Sequence, residues 1–249
     1  MNIALIGYGK MGKAIEDIAL AKGHAIVLRI DDQNLGELTK ENLQKADVAI
    51  EFTGADSAVP NILFCFRSGV PVVCGTTGWL SQMDEVTQKC NEINGSFLYA
   101  SNFSIGVNIF FELNKKLAFL IEQQPAYDVS IEETHHTAKK DAPSGTAITL
   151  AEEIIHLSPQ KNKWVLRQAN VEKGGNEHLA QKSDEISITS RRIDPAAGTH
   201  SVKYASDVDQ IEIIHTAHNR KGFAAGALMA AEFLYNKKGI FTMKDVLNF

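Results

Sequence analysis

Along the first hundred positions, short apolar runs alternate with stretches of helical spacing. Asn2–Ile6 predicts a strand, and Met11, Ile15, Ile18 and Ala19 then recur at the interval of an amphipathic helix. His24–Ile30 and Val48–Phe52 predict two further strands. Ser57–Phe66 predicts a helix with Pro60 in its first turn, where a missing N–H is tolerated. Val70–Cys74 predicts a buried strand, Met83–Asn91 a helix and Ser96–Tyr99 another strand. Strands that alternate with helices imply right-handed crossovers and a parallel sheet covered on both faces.

The rhythm changes after a helix predicted over 107–123. Tyr127, Val129 and Ile131 alternate with polar neighbours, as on a half-exposed strand. A polar turn and a short helix over about Thr146–Ile155 follow, then three alternating runs, Ile186/Ile188, Val202/Tyr204 and Ile211/Ile213. Such runs predict an antiparallel or mixed sheet. The polar stretch 160–184, with Gly174-Gly175, predicts a mobile loop, and Phe223–Leu234 a last apolar helix. The fold class expected is α/β: a Rossmann-type dinucleotide-binding domain with a second α+β domain built on a mixed sheet.

A length of 249 residues admits one large domain or two modest ones. At 22% charged and 44% hydrophobic the chain is neither disordered nor fibrous in composition. Lys plus Arg number 25 against 30 for Asp plus Glu, a formal net charge of −5. That balance offers no global footprint for nucleic acid or an anionic membrane, so an anionic ligand must meet a local cluster of positive charge. No apolar run approaches the ~18–20 residues of a membrane span. The start, Met1 to Gly7, has no basic leader, so no signal peptide is expected. Cys65, Cys74 and Cys90 are odd in number and form no C-x-x-C pair, which predicts reduced thiols in a cytoplasmic protein.

Gly7-Tyr8-Gly9-Lys10-Met11-Gly12 is a G-x-G-x-x-G between the first strand and the first helix. Gly7 suits the tight turn, Gly9 lets the backbone approach a pyrophosphate, and Gly12 lets helix and strand pack closely. Phosphates then meet N–H groups at the helix start. About twenty residues on stand Asp31 and Asp32, where a carboxylate takes the ribose hydroxyls of NAD. Two acids repel a 2′-phosphate, so NADH is the preferred cofactor expected and NADPH the lesser one. Thr53 and Thr77 follow strand ends at the edge where ligands sit in such sheets; they face the nicotinamide or serve as ordinary turn residues.

Glu133 to Thr146 concentrates His135, His136, Lys139 and Lys140 within six residues of an acidic chain, between a strand end and a helix start. First-turn amides at Gly145 and Thr146, lysine and protonated histidine together suit a carboxylate. Histidine also delivers protons near neutral pH, and lysine does so when neighbouring positive charge depresses its pKa. Ser144 reads equally as a helix cap. No H-E-x-x-H or comparable spacing appears, and adjacent histidines on a strand point to opposite faces, so no metal is expected.

These residues resemble the 4-hydroxy-tetrahydrodipicolinate (dihydrodipicolinate) reductase family of lysine and diaminopimelate biosynthesis. Its motif E-x-H-H-x-x-K-x-D-A-P-S-G-T-A is matched by Glu133, His135, His136, Lys139, Asp141 and the run Ala142 to Ala147. The glycine turn, Phe52-Thr53, Gly75-Thr76-Thr77-Gly78, the run Ala100 to Asn108, and Arg220 with Phe223-Ala224 and Gly226-Ala227 extend the likeness over nearly the whole chain. Three positions depart from the family pattern: the glycine turn is one residue shorter than in many members, Glu51 stands where Asp is frequent, and Asp32 stands where NADPH-using members carry a basic residue.

The resemblance implies a dinucleotide-binding domain over 1–104 plus 219–249 and a substrate-binding and oligomerisation domain over 105–218, assembled as a homotetramer. It implies His135 as general acid/base and Lys139 as proton donor. His136, Gly145 and Thr146 would hold the carboxylates of a small cyclic dicarboxylate, with Arg220 in support. Gly75, Thr76, Thr77, Ala100, Ser101, Asn102 and Phe103 would line the nicotinamide. The activity implied is reduction by NAD(P)H with loss of water. The competing readings are another two-domain amino- or keto-acid dehydrogenase and a silent NADH sensor.

Overall fold

The structure, a computed structural model, describes residues 1–168, 183–219 and 221–249. Strands and helices are numbered in chain order. The chain divides into two compact units, Met1–Ile105 with Lys221–Phe249, and Gly106–Arg220.

In the first unit β1 (Asn2–Ile6), β2 (Ala25–Ile30), β3 (Val48–Glu51), β4 (Val72–Cys74), β5 (Ser96–Tyr99) and β11 (Gly239–Phe241) form one sheet, in the order β11-β5-β4-β3-β1-β2. Every pairing is parallel. Side-chain alternation divides the core in two. Ala4, Ile6, Ala49, Val72, Cys74 and Phe97 pack with α3 (Ala55–Ser68) and α4 (Met83–Glu92). Ile3, Leu5, Val48, Ile50, Val73 and Leu98 pack with α1 (Lys10–Ala21) and α7 (Lys221–Leu234). Each full burial of a Val, Leu or Ile contributes about 1.5–3 kcal/mol, and with both faces buried a one-residue slip of a strand would exchange the two side-chain sets and misfit both cores. The strand order reverses between β1 and β3. In a doubly wound sheet, the crevice outside that point is the ligand position.

Three sequence expectations are corrected here. The third strand stops at Glu51 and the fourth begins only at Val72. Pro60 is the sixth residue of α3, because Gly54 opens the helix earlier than the apolar spacing suggests. Its ring leaves the Asp56 carbonyl without a helical donor; both residues are exposed, so water takes that carbonyl. The short elements α2 (Lys40–Leu43), β11 and α8 (Met243–Leu247) are too brief to show a period.

In the second unit β6 (Asp128–His135), β7 (Lys163–Gln168), β8 (Glu185–Arg192), β9 (Thr199–Ala205) and β10 (Gln210–Thr216) form a mixed sheet in the order β10-β9-β6-β8-β7. β8 runs parallel to β6 and β7, whereas β9 is antiparallel to β6 and β10. Val129, Ile131, Ile186, Ile188, Val202 and Tyr204 on one face pack with α5 (Ile105–Ile121) and α6 (Gly145–Leu157). The predicted 160–184 loop therefore contains strand β7; residues 169–182 within it lie outside the described residues, as does Arg220. Among the described residues no helix is long and apolar enough to cross a membrane.

Candidate active site

The glycine turn of the first unit is shaped by contact. Gly7 has φ +98°, and a Cβ there would lie 1.9 Å from the Phe52 carbonyl oxygen, so the loops after β1 and β3 touch at the order reversal. A Cβ on Gly12 would lie 2.5 Å from the Gly7 oxygen. Gly9, the N-cap of α1, differs: among the described residues, its chain neighbours aside, no atom comes within 4 Å of its Cβ position, and no side chain there caps the helix. That open space is what a pyrophosphate needs to approach the first-turn amides.

Lys10 is exposed and Met11 packs against the core. The Tyr8 hydroxyl donates to Glu16, which also accepts from Arg29 Nε at 2.9 Å. Asp31 accepts from the Gln33 N–H at 2.9 Å, and Asp32 beside it is exposed.

Around the ends of β3, β4 and β5 the structure separates exposed from inward residues. Thr53 and Thr77 are exposed. Thr76 is buried, and its hydroxyl accepts from the Thr53 N–H at 2.8 Å. Buried Glu51 holds the same loop by accepting from the Thr53 N–H at 3.1 Å and from the Cys74 thiol at 3.1 Å. Burial and that carboxylate push the Cys74 thiol far up, so it is an inert core group. Phe52 and Phe103 stack with centroids 5.7 Å apart, and a Cβ on Gly75 would strike the Phe52 ring at 2.2 Å. Ala100 and Phe103 are buried, Ser101 is exposed, and Asn102 accepts from the Ser104 N–H at 2.9 Å.

The second unit gathers a polar cluster on the helix-covered side of its sheet. Register sets Glu133 opposite both Ser190 and His200, and His135 opposite Arg192. Glu133 is fully buried, with His135 and His200 nearly so. The Glu133 carboxylate accepts from His135 Nδ1 and, at 3.0 Å, from Arg192 Nη1. Burial alone would raise the Glu133 carboxyl, yet His135 first, then Ser190 and Arg192, outweigh it and hold it at about 2. An ionised Glu133 only accepts, so the proton between the pair sits on Nδ1, and Nε2 is the ring nitrogen that Glu133 does not engage.

His200 lies edge-on to His135, ring centroids 5.1 Å apart, with its Nε2 2.8 Å from the Ser144 hydroxyl. Burial, with the neighbouring His135, drives His200 down to about 3, so it stays neutral. Ser144 caps α6 by accepting from the Ala147 N–H at 3.2 Å, which brings the helix start carrying Gly145 and Thr146 up to the histidine pair. No atom lies within 4 Å of a Cβ position on Gly145.

Lys139 pairs with the Asp141 carboxylate at 2.7 and 2.9 Å. An acid, rather than the neighbouring positive charge invoked from sequence, is thus its ion-pair partner. His136 follows the end of β6, half-buried, close enough to Asp194 to help hold that carboxyl low after the stronger effect of Thr137.

The structure therefore joins His135, Lys139 and the Ser144–Thr146 helix start within one unit. It buries the motif residue Glu133 beside them and adds Arg192 and His200, brought in by strand register, and Gly198, just before β9, whose Cβ position lies 3.0 Å from His135 Nε2. Glu133, His135 and His200 also offer three ligand atoms within 4.8 Å of one another. The Arg192 guanidinium already on Glu133 opposes a second cation there.

A doubly wound unit with an open dinucleotide turn, in one chain with a second unit carrying a buried Glu–His pair and a lysine, defines a two-domain nicotinamide-dependent oxidoreductase. Residues 1–103 match the dihydrodipicolinate reductase N-terminus family and 106–247 its C-terminus family. The chain belongs to the dihydrodipicolinate reductase family. It is 47% identical to the 4-hydroxy-tetrahydrodipicolinate reductase of Christiangramia forsetii, over 100% of this chain and 98% of that one. With the enzyme of that name from Methanosarcina barkeri it shares 36% identity over 96% of this chain and 81% of the relative. Its fold is similar to that of dipicolinate-bound dihydrodipicolinate reductase from a Paenisporosarcina species, with TM-score 0.76, 23% identity and 98% of each chain covered. The C-terminal family match runs on to 247, whereas Lys221–Phe249 folds with the first unit.

Proposed function

We infer that this chain reduces 4-hydroxy-tetrahydrodipicolinate to tetrahydrodipicolinate with NAD(P)H in lysine and diaminopimelate biosynthesis. The observation that carries this reading is 47% identity, over the whole chain, to a reductase of that name. The reaction takes up one hydride and one proton and releases one water from the 4-hydroxyl position. The reduced nicotinamide supplies the hydride when bound.

The chain's own residues supply binding and the proton. The open backbone at Gly9, framed by Gly7, Tyr8, Lys10, Met11 and Gly12, takes the pyrophosphate, and Asp31 takes the ribose hydroxyls. Asp31 and Asp32 together repel a 2′-phosphate, and the nearby cation Arg29 is committed to Glu16, so NADH is preferred. Thr53, Thr77 and Ser101 are exposed at strand ends, where the nicotinamide end would lie. His135 acts as acid/base through Nε2 and Lys139 delivers the proton. His136 and the amides of Gly145 and Thr146 hold the two carboxylates, with Arg220 in support. The working assembly is a cytoplasmic homotetramer, as family membership suggests.

The test is a steady-state assay of NADH and NADPH oxidation with the freshly generated precursor, beside aspartate semialdehyde. Turnover only with the cyclic precursor, and a lower KM for NADH than NADPH, is expected. Turnover of the semialdehyde alone would assign the chain to a different dehydrogenase, and binding of NADH without turnover of either compound would make it a sensor.

A further inference from the structure

Arg192 touches both ends of the cationic segment. Its Nη1 donates to Glu133 at 3.0 Å, the carboxylate that orients His135. Its Nη2 donates to the Asp141 carbonyl at 2.6 Å and its Nε to the Lys139 carbonyl at 3.3 Å. Nη1 also reaches the Arg191 carbonyl at 2.7 Å, which fixes the guanidinium at the end of β8. The turn between His135 and Lys139 is secured separately: the Thr137 hydroxyl donates to the Asp194 carboxylate at 2.6 Å, and the Lys139 N–H to the His136 carbonyl at 3.1 Å. Arg192 is the side chain that ties the carboxylate behind His135 directly to the backbone at Lys139 and Asp141.

We propose that Arg192 is the positioning residue of the active site, a planar fork that fixes the distance between the His135 imidazole and the Lys139 backbone. This rests on the reading of His135 and Lys139 as the proton-handling pair. Only arginine presents five donors in one plane; a lysine at 192 keeps the charge, but its three donors radiate from one nitrogen and cannot span the Glu133 carboxylate and the Lys139 and Asp141 carbonyls together. Arg192 donates no proton to substrate. Its effect falls on kcat through the placement of others, and a misplacement of about 1 Å at such a site costs about 10²-fold.

The experiment compares wild type, Arg192→Lys, Arg192→Ala, His135→Ala and Lys139→Ala for kcat, for KM of NADH and precursor, and for thermal unfolding. Both Arg192 variants are expected to lose about 10–10²-fold in kcat while KM for NADH stays within twofold. Added methylguanidine should restore part of the Arg192→Ala activity and none of that of His135→Ala. If Arg192→Ala fails to fold, Arg192→Lys carries the test by the same kcat criterion. A kcat within twofold of wild type for Arg192→Lys, with His135→Ala and Lys139→Ala still impaired, overturns the proposal and leaves the site reading standing. Near-wild-type turnover of His135→Ala and Lys139→Ala overturns the site reading, and the proposal with it.

Discussion

Gly198 lies against the Nε2 edge of His135: a Cβ at position 198 would sit 3.0 Å from that nitrogen. Since Glu133 holds Nδ1, the proton transfer proposed for His135 would run through Nε2, and a side chain at 198 would crowd that atom. Gly198 also has φ +152°, a backbone conformation that side chains disfavour. Gly198→Ala should therefore lower kcat/KM for the precursor by about 10–10²-fold while leaving NADH affinity near wild type. Steady-state kinetics with NADH titration by fluorescence checks this, and unchanged kcat/KM would mean Nε2 is not the working atom.

The glycines of the first turn should separate by role. Gly7→Ala forces a Cβ to within 1.9 Å of the Phe52 oxygen at a positive φ, so it should destabilise the protein by roughly 2–3 kcal/mol. Gly9→Ala meets nothing within 4 Å and should unfold like wild type. Its defect should appear as a raised KM for NADH, because the methyl occupies the space reserved for the pyrophosphate. Urea unfolding beside kinetics distinguishes the two.

Acid should weaken the second unit before ordinary carboxylates titrate. Burial, then His135, depresses His200 to about 3, whereas an unfolded histidine takes its proton near pH ~6.5. Between those values the unfolded chain binds more protons, so stability is full above pH ~6.5 and falls as pH drops, by at most about 1.4 kcal/mol per unit. Glu133, held at about 2, adds a loss with the same sign only below its ordinary range near 4.5. Urea midpoints of wild type should decline from about pH 7 to 5, and those of His200→Gln should stay flatter over that interval.

Ser144 serves both a helix and a histidine. Ser144→Ala removes the acceptor for the Ala147 N–H and the partner of His200 Nε2. The lost cap costs about 1 kcal/mol and the orphaned imidazole nitrogen about as much again, so unfolding free energy should fall by about 2 kcal/mol. Denaturant unfolding of the single variant measures it; a loss below about 0.5 kcal/mol would mean water replaces both contacts.

Much of the fold is legible in the amino-acid order because its signals are local. The unbroken apolar run after Asn2 follows from a strand buried on both faces, whereas the alternation of Val129 and Ile131 and the helical spacing through Phe223–Leu234 follow from burial of one face. The glycine turn and the His135–Lys139 segment are legible because the chemistry falls within short spans. Strand β7 escapes because an edge strand pairs on one side only and tolerates Lys163 and Arg167 beside Trp164 and Leu166. Glu133 is visible in the motif, yet its burial and its link to Arg192, 59 residues on, arise only from the parallel β6–β8 register. His200 stands among scattered histidines in the sequence. Antiparallel pairing of β9 with β6 singles it out, and the start of α6 holds it through Ser144.

The central claim is that the cationic segment of the second unit supplies the proton for reduction of the cyclic diacid. Single-turnover oxidation of NADH by Lys139→Ala, followed with saturating 4-hydroxy-tetrahydrodipicolinate, tests it most directly. The account predicts a hydride-transfer rate at least about 10²-fold below wild type with unchanged NADH binding. A rate equal to that of wild type would contradict it.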